Sequence, residues 1–372
     1  MADQSAKKLK ILHTESSLGW GGQELRVWSE SVGLRCYGFD VRIACSSESK
    51  FHSRLPRSLI DEFLIQLPIS RKSLRALFAC MTLIRDYQPD IIVTHSSTDS
   101  WLFTLANHFR PKSVRAKLVR TRHVRAEIAP NILTKWLYSQ CSHVITTSDD
   151  IKAHIISALA VSPMRVSCVP TGVDDSFLNS VAESTRSKSI QKTVSHPLRL
   201  LMVATLRSWK GHIYAIEALK KHHGSELTVV GDGPQESNLK LLVDELDLAD
   251  RVAFVGYQKD VKKYFLDSDI VLLPSYANEG ISQTQLQAMA LGKIVIASNI
   301  GGLNEVIEHG HTGYLVEPKS TDALVVAIKE IEANWEEWSE CGFRASSLVK
   351  AEYSQEKQVS TVSQIYLDIV SA

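Results

Sequence analysis

Long apolar runs are missing from these 372 residues: no stretch approaches the eighteen or so unbroken apolar residues that span a bilayer. Cysteine is scarce and scattered. The six residues Cys36, Cys45, Cys80, Cys141, Cys168 and Cys341 form neither a CxxC motif nor a metal-ligand spacing, so reduced thiols of a cytosolic protein are expected. The opening MADQSAKKLKILH has charge and a short strand but lacks a secretory apolar core or a small-residue cleavage site, and the expected location is cytoplasmic. The phosphate-binding glycine motifs are incomplete as well. LGWGGQE at 18–24 is no GxxxxGK[ST] loop, and VGDGPQES at 230–237 lacks the third glycine of the dinucleotide fingerprint, which weakens kinase, ATPase and dehydrogenase readings. Two carboxylates placed as glycosidase acid and nucleophile are absent too.

What is present is the composition of a globular enzyme, 44% hydrophobic and 22% charged, with length for two ordinary domains. Short β-rich runs alternate with segments of helical period. In the first half they are KILHT (10–14), VRIACS (41–46), FLIQL (63–67), IIVTHS (91–96), KLVRTRH (117–123), HVITTS (143–148) and VSCVP (166–170). After a polar, Ser-rich stretch at 176–197 the alternation restarts with LRLLMVATL (198–206), ELTVVGDG (226–233), RVAFVG (251–256), DIVLLPS (269–275), KIVIAS (293–298) and GYLVEP (313–318). The last sixty residues read as helical. Continuously apolar strands separated by helices imply parallel sheets covered on both faces, so two doubly wound α/β lobes in series are expected. Their ligand cleft would lie at the carboxyl ends of the strands, between the lobes.

A net charge of +1 conceals an asymmetry. Residues 1–190 hold 25 Lys+Arg against 17 Asp+Glu, and the remainder holds 17 against 24. Seven cations, Arg110, Lys112, Arg115, Lys117, Arg120, Arg122 and Arg125, fall within sixteen residues. A basic half of this kind suits an anionic partner such as a phospholipid surface or a phosphorylated glycolipid, or it is a solvated rim. Stacking aromatics are not interleaved here, so nucleic acid is not an expected partner.

Four segments carry candidate chemistry. The loop 18–24, with Gly21 and Gly22, lets backbone amides approach a phosphate or merely packs a tight first turn. LRSWKGH (206–212) puts Arg207 and Lys210 at a strand's carboxyl end, where cations neutralise a diphosphate leaving group; the alternative is a surface pair. In NEGISQTQLQ, Glu279 precedes a helix beginning near Ser282, and Gly280, Ile281, Ser282 and Gln283 offer free amides. Glu279 there suits sugar hydroxyls, or simply complements the helix dipole. THSSTDSW (94–101) offers His95, Thr98 and Asp99 as weak acceptor contacts, with a helix N-cap the commoner cause of such a Ser/Thr/Asp cluster.

LRSWKGH, VVGDGPQESNLKLLVDELDLADRVAFVGY, SDIVLLPS, NEGIS…QAMALGKIVIAS and NIGGLNEVIEHGHTGYLVEP occur in that order. Together with the Gly-Gly-x-Glu loop, TRH, VITTSDDIKAHI and VPTGVDDSF, they make nearly the whole chain resemble family 4 of the retaining glycosyltransferases. This family is also called group 1, and its two-lobe fold is GT-B. The resemblance implies a transferase moving a hexose-type sugar from a UDP- or GDP-linked donor to a glycan or lipid-linked acceptor, in cell-surface polysaccharide or lipopolysaccharide synthesis, without cofactor or metal. By the same resemblance Arg207 and Lys210 bind the donor diphosphate, and Gly21 and Gly22 approach it. Glu279 and the amides of Ile281, Ser282 and Gln283 hold the sugar, and His123 steadies its developing charge. Gly233, Gly256 and Gly280 complete the donor lobe, and Arg122 joins the acceptor side. Gln287 stands where the family usually has a second glutamate contacting ribose. The family's phosphate-binding arginine falls in register with Thr205, two residues before Arg207.

The implied domains are an acceptor-binding Rossmann-like domain over 1–180, a linker over 181–197 and a nucleotide-sugar-binding domain over 198–352. A helix within 353–372 would pack back on the first. The basic first half adds peripheral association with an anionic membrane at its cytoplasmic face. The competing readings are a GT-B-shaped nucleotide-sugar epimerase or phosphorylase, or a non-catalytic nucleotide-binding partner protein.

Overall fold

The computed structural model describes residues 8–69, 73–179 and 197–372. Two compact units divide the chain. One comprises residues up to Pro170 together with Gln355–Ala372, and the other is Thr171–Ser354.

The first unit is built on seven parallel strands: β1 (Lys10–Glu15), β2 (Asp40–Cys45), β3 (Leu64–Gln66), β4 (Ile91–Thr94), β5 (Lys117–Arg122), β6 (His143–Thr146) and β7 (Val166–Cys168). Their order is β3-β2-β1-β4-β5-β6-β7. The second unit has β8 (Leu198–Val203), β9 (Ser225–Val230), β10 (Val252–Phe254), β11 (Ile270–Leu273), β12 (Ile294–Ser298) and β13 (Tyr314–Val316), in the order β10-β9-β8-β11-β12-β13 and again all parallel. Each of the thirteen apolar runs in the sequence is therefore a strand.

Period two explains why these strands are apolar throughout. Ile11, Ile91 and Val93 point into one core layer, with Leu34, Val41 and Val119. Leu12 and Ile92 point into the opposite layer, with Leu102, Phe103 and Leu118. Both faces of the sheet are dry, so alternation of polar and apolar residues has no place in it. The second sheet is sandwiched likewise. Leu200, Met202, Ile270 and Leu272 face one layer, and Leu201, Val271 and Leu273 face the other.

One feature of the chain path differs from a division at position 180. Residues 171–179 pack on the second unit, where Val173 and Leu178 enter a core layer with Leu286 and Leu303. The polar stretch read as a linker lies outside the described residues, apart from Pro197. The C-terminal helix Gln355–Ser371 returns to the first unit. It buries Val359, Val362 and Tyr366 against Ile11, Leu34 and Val41. Polar bonds fix its register on α1 (Gly22–Cys36): the Gln358 amide donates to Glu30 Oε2 at 2.9 Å, and the Tyr366 hydroxyl donates to Glu30 Oε1 at 3.3 Å.

Helix α1 meets this terminal helix through Gly33, where an added Cβ would overlap the methyl groups of Val359. Because a β-branched side chain has few rotamers to retreat into, Gly33→Ala is expected to destabilise the first unit by about 1–3 kcal/mol. Adding Val359→Ala opens that space, so the double variant should lose less than the sum of the single changes in chemical denaturation; strict additivity would show that the two helices do not meet there.

Candidate functional site

In a doubly wound sheet the chain leaves neighbouring strands in opposite directions at one place, opening a crevice at their carboxyl ends. In the second unit this happens between β8 and β11, and the loops after these two strands carry most of the residues expected to hold the donor. After β8 the chain runs through Thr205 and Arg207 into a 3-10 turn at Ser208–Lys210, then into the helix His212–Lys221. The loop after β11 hydrogen-bonds back to that turn, the Tyr276 amide donating to the Trp209 carbonyl at 2.9 Å. Gly211 makes the approach possible. It adopts a left-handed φ of +73°, and a Cβ there would overlap the Pro274 carbonyl.

Lys210 and Glu279 thereby meet as an ion pair, Nζ to Oε1 2.6 Å, with 22% and 6% of the two side chains exposed. Thr205 is half-buried, and its carbonyl accepts from the Arg207 amide at 2.8 Å. Arg207 is exposed, with its guanidinium 5.2 Å from the centre of the Trp209 ring. The loop holding Glu279, Gly280 and Ile281 is pressed into shape by Gly301 and Gly302. A Cβ on Gly302 would overlap the Ile281 amide nitrogen, so only a bare backbone fits. Gly233 likewise lays its backbone against that of Leu206, and Gly256 accepts the Gly231 amide at 2.9 Å.

The helix Gln283–Ala290 starts after Ser282, whose side chain makes no capping bond. Its first amides are therefore available at the positive end of the helix. Two of its polar side chains are already committed: the Gln283 amide donates to the carbonyls of Thr171 and Gly172 at 3.1 and 3.2 Å, and Thr284 Oγ1 donates to the Val203 carbonyl at 2.8 Å. Gln287, half-buried one turn further on, has no side-chain partner among the described residues.

His212, the first residue after Gly211, was not singled out in the sequence. It is 2% exposed, and neither ring nitrogen has a partner among the described residues. Burial, with Lys210 adding to it, pulls its pKa from the usual 6.5 to about 4. The ring is therefore neutral at physiological pH, and the positive charge in this crevice comes from Lys210 and Arg207.

The first unit has its own crevice between β1 and β4. Gly21 and Gly22 lead into α1, where the Gly21 amide donates to Glu24 Oε2 at 2.7 Å. Glu15, at the end of β1, accepts from the Ser96 hydroxyl at 2.6 Å, the Gln23 amide at 2.6 Å and the Ser17 amide at 2.8 Å. Burial first, then the Asp99 carboxylate, pushes the Glu15 pKa up to about 8. Asp99 is not an acceptor contact. It is fully buried and takes the amides of His95 and Ser96 at 2.9 Å each and the Thr14 hydroxyl at 2.7 Å, capping the helix Ser97–His108. Thr98 is half-buried on that helix.

His95 is not free for an acceptor either. Its Nε2 lies 2.9 Å from His13 Nδ1, and its Nδ1 lies 2.9 Å from His123 Nε2, so both ring nitrogens are taken by histidines. The three rings come from adjacent strands, His13 within β1, His95 just after β4 and His123 just after β5. Burial holds the pKa of each below the usual value, His13 to about 4. Beside them Arg122 is half-buried and donates to the Ala126 carbonyl at 3.2 Å, and burial lowers its pKa. His13 and Glu15 escaped the sequence reading because a strand position gives no sign of what a neighbouring strand places beside it. The only hint was the polar triplet His13-Thr14-Glu15 at the end of an otherwise apolar run.

Residues 184–347 match the family described as Glycosyl transferases group 1, and residues 20–177 match Glycosyltransferase Family 4. The chain is 26% identical over 344 residues to the UDP-Gal:alpha-D-GlcNAc-diphosphoundecaprenol alpha-1,3-galactosyltransferase of Escherichia coli, covering 87% of this chain and 88% of that protein. It is 36% identical over 146 residues to the N-acetyl-alpha-D-glucosaminyl L-malate synthase of Bacillus anthracis, a match spanning 39% of this chain and only 38% of that relative's length. Among solved structures, Anabaena HepE in complex with UDP-glucose superposes with a TM-score of 0.78 at 20% identity, over 98% of this chain and 99% of that one. That likeness is one of fold: two parallel-sheet Rossmann-like units of the GT-B type.

The neutral state of His212 has a measurable consequence. The unfolded chain takes up its proton near the usual 6.5 while the folded chain refuses it until about 4. Folding stability is therefore unaffected above that window, is lost as pH falls through it, and the loss is complete below about 4. Between pH 7.5 and 4, wild type should lose about 3 kcal/mol more than His212→Leu in urea unfolding. A difference that does not vary with pH would show that the ring is protonated or solvated in the folded state.

Proposed function

The chain belongs to the group 1 and family 4 glycosyltransferases, and from that premise we propose that it moves a hexose-type sugar from a UDP- or GDP-linked donor to a glycan or lipid-linked acceptor, with retention at the anomeric carbon. The observation that carries this reading is the Lys210–Glu279 pair at the β8/β11 crevice, beside the uncapped start of the helix Gln283–Ala290. In such a reaction the bond between the anomeric carbon and the phosphate oxygen breaks. Positive charge spreads over the sugar and negative charge over the diphosphate. Lys210 has three N–H donors, so it can keep Glu279 while turning another to a phosphate oxygen. Glu279, held by that bond, is left one carboxylate oxygen for sugar hydroxyls. The amides of Ile281, Ser282 and Gln283 add dipoles fixed before the donor arrives, and Arg207, being exposed, swings in from outside. Gln287 takes the ribose hydroxyls with a neutral amide, and His123 acts on the transferring sugar. No step is assigned to a metal, since cations of the chain receive the leaving group.

The acceptor and the membrane fall to the first unit in this proposal. Exposed Phe109, Val114, Ile132 and Leu133 stand among Arg110, Lys112, Arg115 and Lys135. His108 and Trp136 meet edge to face at 5.5 Å, drawing the end of the helix Ser97–His108 to the helix Ile132–Ser139 that bears Ile132 and Leu133. Apolar side chains among cations suit the interface of an anionic bilayer. A lipid-linked acceptor accords with the name of the Escherichia coli relative, a galactosyltransferase of alpha-D-GlcNAc-diphosphoundecaprenol.

Two experiments test the proposal. In a thermal-shift panel of nucleotide sugars, UDP- or GDP-linked donors should raise the melting temperature. Turnover of the stabilising donor should survive EDTA and fall about 10²–10³-fold in Lys210→Met, the scale of one lost transition-state donor. Product formed from donor alone would instead indicate an epimerase, and no stabilisation by any nucleotide sugar would defeat the donor assignment. Separately, anionic liposomes should retain the protein at low salt and release it at high salt, and Ile132→Asp with Leu133→Asp should abolish retention. Equal retention by neutral vesicles would overturn the electrostatic part.

A further inference from the structure

We propose that His13 and His95 are positioning residues that hold His123 in its Nδ1–H tautomer, so that its ring presents a hydrogen-bond donor to a substrate oxygen. The inference rests on the transfer reading only for what lies beyond His123; the proton order within the chain stands on the geometry of the first unit.

A neutral imidazole carries one proton, and a bond between two rings holds one proton. The bonds His13 Nδ1···His95 Nε2 and His95 Nδ1···His123 Nε2, each 2.9 Å, therefore admit two orders only. In one order all three rings carry Nδ1–H. Each bond then points outward from His13, and His123 keeps its own N–H for a partner outside the chain. In the other order all three carry Nε2–H, the bonds point inward, and the last N–H belongs to His13.

What surrounds His13 decides between them. Its side chain is fully buried, and its Nε2 has no partner among the described residues. The charged groups facing it are Glu30 and Arg26 of α1, which act on it in opposite senses and form an ion pair at 3.2 Å. Glu30 does not accept from it: His13 Nε2 makes no hydrogen bond to either carboxylate oxygen, of which Oε2 takes Arg26 Nε and the Gln358 amide and Oε1 takes the Tyr366 hydroxyl. Inward order would bury an N–H donor with nothing to receive it, which native interiors almost never do. Outward order leaves a bare ring nitrogen at the buried end and delivers the N–H to His123, whose Nδ1 is not among the buried unpartnered atoms. Burial also keeps all three rings below their usual pKa, so the chain stays neutral.

The consequence is directional. His123 approaches a sugar or acceptor oxygen as a donor, not as a lone pair. In the outward order His123 Nδ1 already carries its proton and cannot take another. It is bare only in the inward order, which places the third proton on buried His13 Nε2 without an acceptor, and this makes His123 a poor general base. Specificity for an oxygen acceptor atom is thus set about two ring widths behind the atom that makes the contact.

The test is nitrogen NMR of the full-length protein labelled with 15N at histidine, with the three rings assigned by single substitutions. At neutral pH the expected result is Nδ1 protonated and Nε2 bare in all three. Nε2–H on His123, a mixture of the two forms, or an imidazolium in the chain overturns the proposal. In His13→Phe, which frees His95 Nε2, His123 should show both tautomers. With the donor identified in the thermal-shift panel, this variant should lose turnover about tenfold with KM unchanged, the worth of one hydrogen bond realised in the transition state. Should His13→Phe fail to fold, the wild-type spectrum alone decides. Correct tautomers in a protein that transfers no sugar would sink the transfer reading and leave the proton order standing.

Discussion

Parallel strands impose the constraint on which everything else depends. Every strand of a parallel sheet delivers its carboxyl end to the same edge, and every following helix delivers its positive N-terminus there too. Where the strand order reverses, two neighbouring ends are left uncovered. Both units of this chain reverse between their first and fourth strands, β1 against β4 and β8 against β11. Each unit therefore concentrates its polar residues at one place, in a sheet that is otherwise dry on both faces.

The two crevices are furnished differently, and the difference is electrostatic. In the second unit a partly buried cation, Lys210, is paired with a buried carboxylate, Glu279, at 2.6 Å. Paired charges can be kept near the surface at little cost, and a phosphate can recruit the cation without first dehydrating it. Among the described residues the first unit has no such pair at its crevice. It holds two buried carboxyls, Glu15 and Asp99, whose pKa values burial raises to about 8 and 6, and three buried imidazoles whose values burial lowers. Groups of both kinds move toward neutrality, as expected of side chains that water cannot reach. One crevice is arranged to receive charge and the other to present neutral hydrogen-bonding groups.

Close backbone approach is what makes the charged crevice rigid. Gly211 against Pro274 and Gly302 against Ile281 remove the side chains that would hold the loops apart. The loops are then tied by main-chain bonds, such as Tyr276 to Trp209 at 2.9 Å. Lys210 and Glu279 are 69 residues apart in the chain, yet their separation is set by backbone contacts that have no rotamers to explore. An ion pair built this way spends little conformational entropy on meeting.

The thirteen strands were legible because a strand dry on both faces must be apolar at every position, and that is a local property of the chain. The candidate cations and Glu279 could be picked out for a similar reason: they lie in the segments that connect a strand to the next helix, where a doubly wound sheet puts ligands. Whether a polar residue at such an end is spare or spent was not local. Asp99 proved to be consumed by hydrogen bonds from Thr14, Ser16, His95 and Ser96, and His95 by two neighbouring rings. His13 gave no signal, because a histidine in a strand acquires meaning only from the residues that β4 and β5 place beside it. The packing of 171–179 on the second unit was likewise a tertiary decision. Amphipathic faces state that they need burial, but only the shape of the remaining surface determines where they find it.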